Sequence, residues 1–416
     1  EEAGGSTDYG KIAKAIGDIM SVGIKVSLAN INKSDYGFAP DVENNRILFG
    51  LKGMLNVGDD VIANTIANRP YVSPRDFLNK VKPGKQAMIS LIKGGAFDEM
   101  MDRKLCMGWY LWETCDKKKR ITLQNMGGLI KYGIIPTENE DLVTAKRVFE
   151  FNRYLKAMCK GRDPKYYYLD ERGLNFVMEL GYEGLLNVVA DNYMLNISEW
   201  DKKAYQPWMD KVRNWIASDK DGILQALNTQ IFLEDWNKYA LGNISAWEME
   251  VLCFYYHDHE LKDVNMGKYG LVNFHSLPEE PIVERTFMSR AGQEVKIFKI
   301  HKICGTCIAK NKTKSTVTLL TNSGVVDVKF RKEYFSLFDK QISEKGADGV
   351  KHVVEKSWFN RGNMIVVQGI RSGDDFVAKK YQSTGGHQLY RIESIDENGD
   401  LVLKDQRYQR GIEEDA

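Results

Sequence analysis

No run of apolar residues in this chain approaches the length that crosses a bilayer, and no basic-then-apolar leader opens it. A membrane span and a secretory signal are not expected, and the reading is of a cytoplasmic protein. A surplus of charge of one sign is also missing. The 58 Lys and Arg residues face 57 Asp and Glu, a net charge of +1. Overall basicity is therefore no argument for nucleic acid, and any surface for it must be local. Cysteine is sparse. Of the six, Cys304 and Cys307 form the one Cys-x-x-Cys pair; zinc needs a second pair, and in a strand positions three apart face opposite sides. Free thiols and no metal site are expected. An acidic metal cluster is lacking too. Gly58-Asp59-Asp60 and Gly373-Asp374-Asp375 each suggest a metal-holding pair, but neither has a third acid with a basic phosphate grip, as two-metal chemistry requires. The first pair opens a helix, where acids suit the dipole, and the second is a turn. No catalytic residue is assigned.

What is present is a composition, 43% hydrophobic and 28% charged, of ordinary globular domains, with length for two or three of them. The informative stretch runs from Leu48 to Asp98. Phe49-Gly50-Leu51-Lys52-Gly53-Met54-Leu55 leads into Asn56-Val57-Gly58, and Asp59 to Arg69 continues with Val61, Ile62 and Ile66 at helical spacing. This pattern predicts helix, tight turn, helix. Asn and Gly tolerate the positive φ of a sharp reversal, Val57 plugs the groove between helices, and outward amides suit a phosphate oxygen. A second unit follows from Asp76 to Asp98, with Lys82-Pro83-Gly84-Lys85 in the hairpin position and Ala87, Met88, Leu91 and Ile92 on the buried face. Such units grip a nucleic-acid backbone without reading bases. Lys52, Gly53, Asn56, Val57, Gly58, Gly84 and Lys85 are the candidate duplex contacts.

The runs Gly23-Ile24-Lys25-Val26, Asn30-Ile31-Asn32-Lys33-Ser34-Asp35-Tyr36, Ile47-Leu48-Phe49-Gly50-Leu51 and Leu91-Ile92-Lys93-Gly94-Gly95-Ala96-Phe97-Asp98 resemble the C-terminal part of bacterial DNA polymerase III alpha subunits. The resemblance fades after Lys104 and returns at Trp247 to Leu261, which is similar to the family's connection from the hairpins to an oligonucleotide-binding (OB) domain. Asn56, Cys253 and Glu260 depart from the family's Gly, Gly and Pro. The resemblance implies an end-of-fingers segment over 1–45, tandem helix-hairpin-helix units over 46–105, a helical region over 106–262, a linker over 263–290 and an OB domain over 291–410. It implies a non-catalytic, DNA-binding portion of a bacterial or bacteriophage replicative polymerase. The palm, and the Mg that the parent polymerase would use, are expected ahead of Glu1, so no cofactor is assigned here. A protein-interaction module docking a sliding clamp or another replisome or phage-host partner is the alternative, and an independent nuclease is a third. Gln230-Ile231-Phe232-Leu233 is only a poor imitation of a clamp-binding peptide.

The expected fold is α+β and multidomain: a mainly α-helical N-terminal part with the tandem hairpins, followed by a five-stranded OB-type β-barrel. Helices are predicted over Lys11–Met20, Leu142–Met158, Leu174–Val188, Ser198–Ala217 and Gly222–Asn228, with a short strand over Ile24–Leu28. Trp109, Trp112, Trp200, Trp208, Trp215 and Trp236 are expected to serve cores. Cys115-Asp116-Lys117-Lys118-Lys119-Arg120 is read as a solvated helix end, with a phosphate contact as the other possibility. His257-Asp258-His259-Glu260 invites a metal, but the connecting role is favoured. Strands are predicted over Val295–Ala309, Ser315–Leu320, Gly324–Phe330, Met364–Arg371 and Asp375–Lys380, with a helix near Arg331–Ile342 and a closing pair at His387–Ile395 and Leu401–Leu403. In an OB arrangement the first and last loops flank a single strand. Lys310, Lys312, Lys314, Lys329 and Arg371 are the candidate single-strand contacts.

Overall fold

The computed structural model describes residues 11–12, 15–16, 19, 23–158, 165–189, 192–345, 351–380 and 387–408. Residues 1–107 and 242–416 make one compact unit and residues 108–241 another. The helix expected over Lys11–Met20 lies partly outside the described residues; those described within it are helical.

The first unit begins with a small sheet in which β1 (Lys25–Ser27) runs parallel to β3 (Arg46–Leu48), which pairs antiparallel with β2 (Ala39–Asp41). The chain then makes one 3-10 turn, Leu51–Gly53, and the reversal at Asn56 to Gly58 before α1 (Asp59–Ala67). The leading helix of the first hairpin is thus a single turn. Gly50 and Gly53 interrupt the run and are weak helix formers. α2 (Pro74–Val81) and α3 (Lys85–Lys93) form the second hairpin, and α4 (Arg103–Thr114) follows. The segment Asn30 to Ser34 acts as a clamp on this region: Asn32 Nδ2 donates to the Tyr71 carbonyl at 2.9 Å and Asn32 Oδ1 accepts from the Tyr71 amide at 2.8 Å.

The second unit holds α5 (Met126–Lys131), α6 (Glu140–Met158), β4 (Tyr166–Tyr168), α7 (Glu171–Glu179), β5 (Leu186–Val189) and β6 (Asn192–Asn196). After them come α8 (Ile197–Trp200), a π turn over Asp201–Tyr205, α9 (Gln206–Ser218) and α10 (Lys220–Tyr239). The helix expected from Leu174 to Val188 is corrected: it stops at Glu179, because Gly181 takes a φ of +73°. Val188 and Val189 then pair as strand β5 with β6, as β-branched residues favour. The helix expected over Gly222–Asn228 runs 20 residues, Lys220–Tyr239. Trp200 is fully buried, and Trp208 and Trp215 pack against the apolar cores.

Returning to the first unit, α11 (Ile244–Leu252) and α12 (Met266–Tyr269) lead to a two-stranded ribbon, β7 (Val283–Met288) and β8 (Glu294–Phe298). The single strand expected over Val295–Ala309 is corrected here. It divides at Lys299-Ile300 into β8 and β9 (His301–Asn311), which belong to different sheets. β10 (Thr316–Thr321), β11 (Gly324–Lys329), α13 (Lys332–Asp339), the unforeseen hairpin β12 (Ile342–Lys345) and β13 (Lys351–Glu355), β14 (Met364–Ser372) and β15 (Asp375–Ala378) follow. Five strands close in the order β9-β10-β11-β15-β14 and back to β9, with only β11–β15 parallel. The helix after the third barrel strand stands where expected. Closure is tight at Gly369, where an added Cβ would lie 2.3 Å from the Val377 carbonyl oxygen. β16 (Leu389–Ile395) and β17 (Leu401–Lys404) extend the sheet beyond β14.

Inward residues of the barrel, among them Val317, Leu319, Val326, Val328, Phe330 and Phe376, form its core with Trp358 and Phe359 from the loop before β14. Cys304 and Cys307 do face opposite ways. Cys307 lies in this core, whereas Cys304 packs with Leu261, Val264 and Ile392 outside the barrel wall. Burial pushes the Cys304 thiol up to about 11.

Candidate nucleic-acid interface

The two hairpins share a backbone design. Gly58 and Gly84 are the N-caps of α1 and α3, both extended, and neither offers a side chain to the first-turn amides. An added Cβ at either would meet nothing within 4 Å. α2 behaves differently: Ser73 closes it, its Oγ accepting from the Asp76 amide at 3.1 Å. The first amides of α1 and α3 have no carbonyl within their own helix, and the bare glycine caps leave them accessible to an incoming oxygen. Val57 is 5% exposed and plugs its hairpin, while Asn56 carries the left-handed turn with a φ of +62°. In the second hairpin that conformation falls on Lys82, with a φ of +50°, rather than on Gly84.

Charge separates the two. α1 has Asp59 and Asp60 in its first turn, and Asp59 Oδ1 accepts from Lys52 Nζ at 2.5 Å and from the Tyr36 hydroxyl at 3.0 Å. Lys52 and Tyr36 hold the Asp59 carboxyl below its usual range, and the Lys52 ammonium is raised by the same bond. The charge of Lys52 is therefore answered within the protein. Gly53 faces inward: its amide donates to the Gly50 carbonyl at 3.0 Å, and a Cβ would lie 2.8 Å from the Phe49 ring. α3 has no acid in its first turn and starts with Lys85, while Lys82 stands exposed just before it without an ion pair among the described residues. Cations at a helix N-terminus oppose the dipole, an arrangement relieved by an anion. Lys82 was not foreseen as a contact; its place two residues before Gly84, in the turn itself, is the signal that would have found it.

The barrel gathers three of its five candidate residues. Lys310, Lys314 and Lys329 line one outer groove with Thr316, Thr318, Asp327 and Asp375. Two of these cations are compensated. Lys310 Nζ lies 2.5 Å from Asp339 Oδ1, and Lys329 Nζ lies 2.5 Å from Asp375 Oδ2. Lys312 sits beside the same Asp339 at 3.4 Å, on the neighbouring groove. Lys314 has no ion pair among the described residues. Arg371 is separate from the groove and 9% exposed. Its Nη1 donates to the Leu277 carbonyl at 2.6 Å, its Nε to the Gly373 carbonyl at 2.9 Å, and its guanidinium covers the Phe274 ring. Phe330 and Phe376 point into the core, so neither is offered to a base from this surface.

The other cluster disperses. His257 Nδ1 bonds Glu248 at 2.6 Å, Asp258 pairs with Lys262 at 2.9 Å and Glu260 accepts from the Tyr255 hydroxyl at 3.0 Å. His259 accepts the Leu261 amide at Nδ1, which leaves Nε2–H to donate to the Leu320 carbonyl. Among the described residues no group of three or more His, Cys, Asp or Glu is arranged to hold a metal. The residues present do not fit a two-metal centre, and no reaction step is assigned through one. Gln230 to Leu233 lie inside α10, with Phe232 packed against Trp112 and Trp236, which is not an extended peptide. No helix of the described residues is long and apolar enough to cross a membrane.

A family model described as a helix-hairpin-helix motif matches residues 23–105, a span that holds β1 to β3 and both hairpins. A probable DNA polymerase, YorL, of Bacillus subtilis strain 168 is 37% identical over 411 residues, which is 97% of this chain and 31% of that protein. A DNA-directed DNA polymerase of Bacillus phage SPbeta matches with the same figures. The chain is homologous to a region of these DNA polymerases. It spans about a third of their length. The polymerase III alpha subunit of Thermus aquaticus is 35% identical over 103 residues, 23% of this chain and 8% of that subunit. This agrees with the limited reach of the motifs that carry the resemblance in the sequence.

Proposed function

We propose that this chain is the DNA-holding portion of a replicative polymerase of the polymerase III alpha type, acting in the cytoplasm of a bacterial cell. Its second hairpin grips the duplex backbone, and the outer barrel face receives single-stranded template. The observation that carries the duplex role is the α3 N-terminus: a bare Gly84 cap, Lys82 and Lys85 beside it, and no first-turn acid. Phosphate oxygens satisfy both the amides and the dipole there, and no base edge is needed. The first hairpin, with Lys52 turned to Asp59, contributes a weaker backbone contact through Val57 and Gly58. Fluorescence anisotropy of the whole chain with several unrelated duplexes tests this. Lys85→Glu should weaken all of them about equally and lower the salt slope by about one. A loss confined to one sequence, or none, removes the second hairpin from the surface.

One observation favours a second reading for the barrel alone. Its groove cations are largely paired with Asp339 and Asp375, and its exposed strand positions carry no stacking aromatic, so a role in docking a sliding clamp or other replisome protein competes with single-strand binding. Duplexes with and without a single-stranded tail separate the two: tail-dependent affinity supports the DNA role, and its absence supports docking.

A further inference from the structure

The β7–β8 ribbon stands apart from the rest of its unit. Every residue of β7 is exposed, β8 is at best half-buried, and among the described residues the ribbon pairs with no other strand. An isolated two-stranded hairpin is marginally stable in water. Phe287 and Met288, near its tip, are 47% and 65% exposed. Arg285 and Lys296 stand on its strands beside Glu284 and Glu294, Arg290 is in the tip turn, and Lys299 follows β8 at the base, where Glu279 and Glu280 precede β7. None of the four cations has an ion pair among the described residues, and Glu279 faces Arg371 at 3.9 Å. This is the reverse of the barrel groove, where Lys310 and Lys329 are already answered by Asp339 and Asp375. Cations without ion pairs along the ribbon, in its tip turn and at its base, with two apolar side chains at the far end, match a nucleic-acid duplex. The major groove is wide enough for a two-stranded ribbon, with phosphates on both sides for the cations and apolar base or sugar edges for the tip.

We propose that the ribbon is a second duplex-binding arm, in which Arg285, Arg290, Lys296 and Lys299 contact phosphates while Phe287 and Met288 enter the groove. The proposal shares with the preceding section the premise that the chain binds duplex, but it uses a different surface. The test is anisotropy of the whole chain carrying Arg285→Gln, Arg290→Gln, Lys296→Gln and Lys299→Gln together, with Lys85→Glu in parallel. The quadruple variant should bind duplex at least about tenfold more weakly at low salt, with the salt slope reduced by about 0.9 for each cation that reaches a phosphate. A photo-crosslinking residue at position 288 should label the duplex, and one at position 354, on the exposed β13, should not. Unchanged affinity and slope in the quadruple variant, with Lys85→Glu still weakening binding, overturns the arm and leaves the hairpin reading standing. Loss in the quadruple variant without effect of Lys85→Glu keeps the arm and removes the hairpin. A chain that binds no duplex at low salt removes both. A change of oligomeric state in light scattering, with duplex affinity intact, assigns the ribbon to a second copy and also overturns the arm.

Discussion

Gly95 makes room for Arg103. With a φ of +78°, Gly95 has no side chain where a Cβ would lie 2.5 Å from Nη2 of the Arg103 guanidinium. Arg103 is 4% exposed and bonds Asp98, the Lys93 carbonyl at 3.1 Å and Glu248 at 3.0 Å. The Gly-Gly-Ala-Phe-Asp run thus ends α3 and houses the ion pair that anchors the hairpin. Gly95→Ala meets both the left-handed penalty and a displaced guanidinium, and should cost on the order of 2–4 kcal/mol in urea denaturation. A loss below about 0.5 kcal/mol would show that Arg103 readily finds another position.

Arg371 and Lys314 should part company when mutated. Arg371 is engaged inside the fold, where charge-assisted hydrogen bonds are worth about 1.5–3 kcal/mol each. Arg371→Met should therefore lower barrel stability by about 2 kcal/mol while leaving the salt slope of single-strand binding unchanged. Lys314→Ala should do the opposite, with stability kept and the slope reduced. The same slope in both variants would place the single strand elsewhere.

The difference between these two residues shows what sequence can and cannot disclose. Strand alternation and the order of five strands with one helix are periodic signals, and they were legible. So were the places of the two hairpin turns, because Gly, Pro and Asn mark turns locally, although the left-handed residue of the second is Lys82 and the first is led by a single 3-10 turn. Pairing across long separations was not. Nothing near Arg371 announces the Leu277 carbonyl, and nothing near Lys310 announces Asp339. The end of the chain hid another case: Arg407, 8% exposed, donates to the Phe338 carbonyl at the end of α13 and pairs with Glu355. Breaks inside apolar runs were equally hidden, since Lys299-Ile300 carries no turn residue and still divides β8 from β9.

His259 gives the fold a pH limit. Burial lowers its imidazole to about 4 from an ordinary value of 6.5, and its Nε2–H is committed to the Leu320 carbonyl. The folded state keeps it neutral while the unfolded chain takes up a proton near 6.5. Its contribution is therefore fully present above pH 6.5 and is lost as pH falls toward 4, an interval worth about 3 kcal/mol. Urea midpoints measured from pH 7.5 to 4.5 should fall over this window, and His259→Gln should flatten the fall. An equal fall in the variant would assign the acid sensitivity to other groups.

Glu248 is the residue on which the hairpins and the segment entering the barrel converge. It is fully buried: one oxygen accepts from Arg103 and faces His257 Nδ1, and the other accepts the amides of Tyr256 and His257 at 3.0 Å each. The same segment goes on to touch the barrel, with the Tyr255 hydroxyl 2.9 Å from Thr306 Oγ1 and Asn322 Nδ2 donating to the Leu261 carbonyl. Glu248→Gln conserves volume but supplies one oxygen where two are needed. If the amide oxygen keeps the backbone amides, its NH2 faces the Arg103 guanidinium, and the buried cation loses a partner. The expected cost is about 3–5 kcal/mol, that of breaking a buried ion pair from one side. Asp258→Asn, which removes the exposed partner of Lys262, should cost under about 1 kcal/mol. Because Arg103 holds the end of α3 and His257 leads to the barrel, amide exchange in Glu248→Gln should accelerate together over residues 93–98 and 255–261. Acceleration in only one of the two stretches would mean that hairpin and barrel entry are anchored independently.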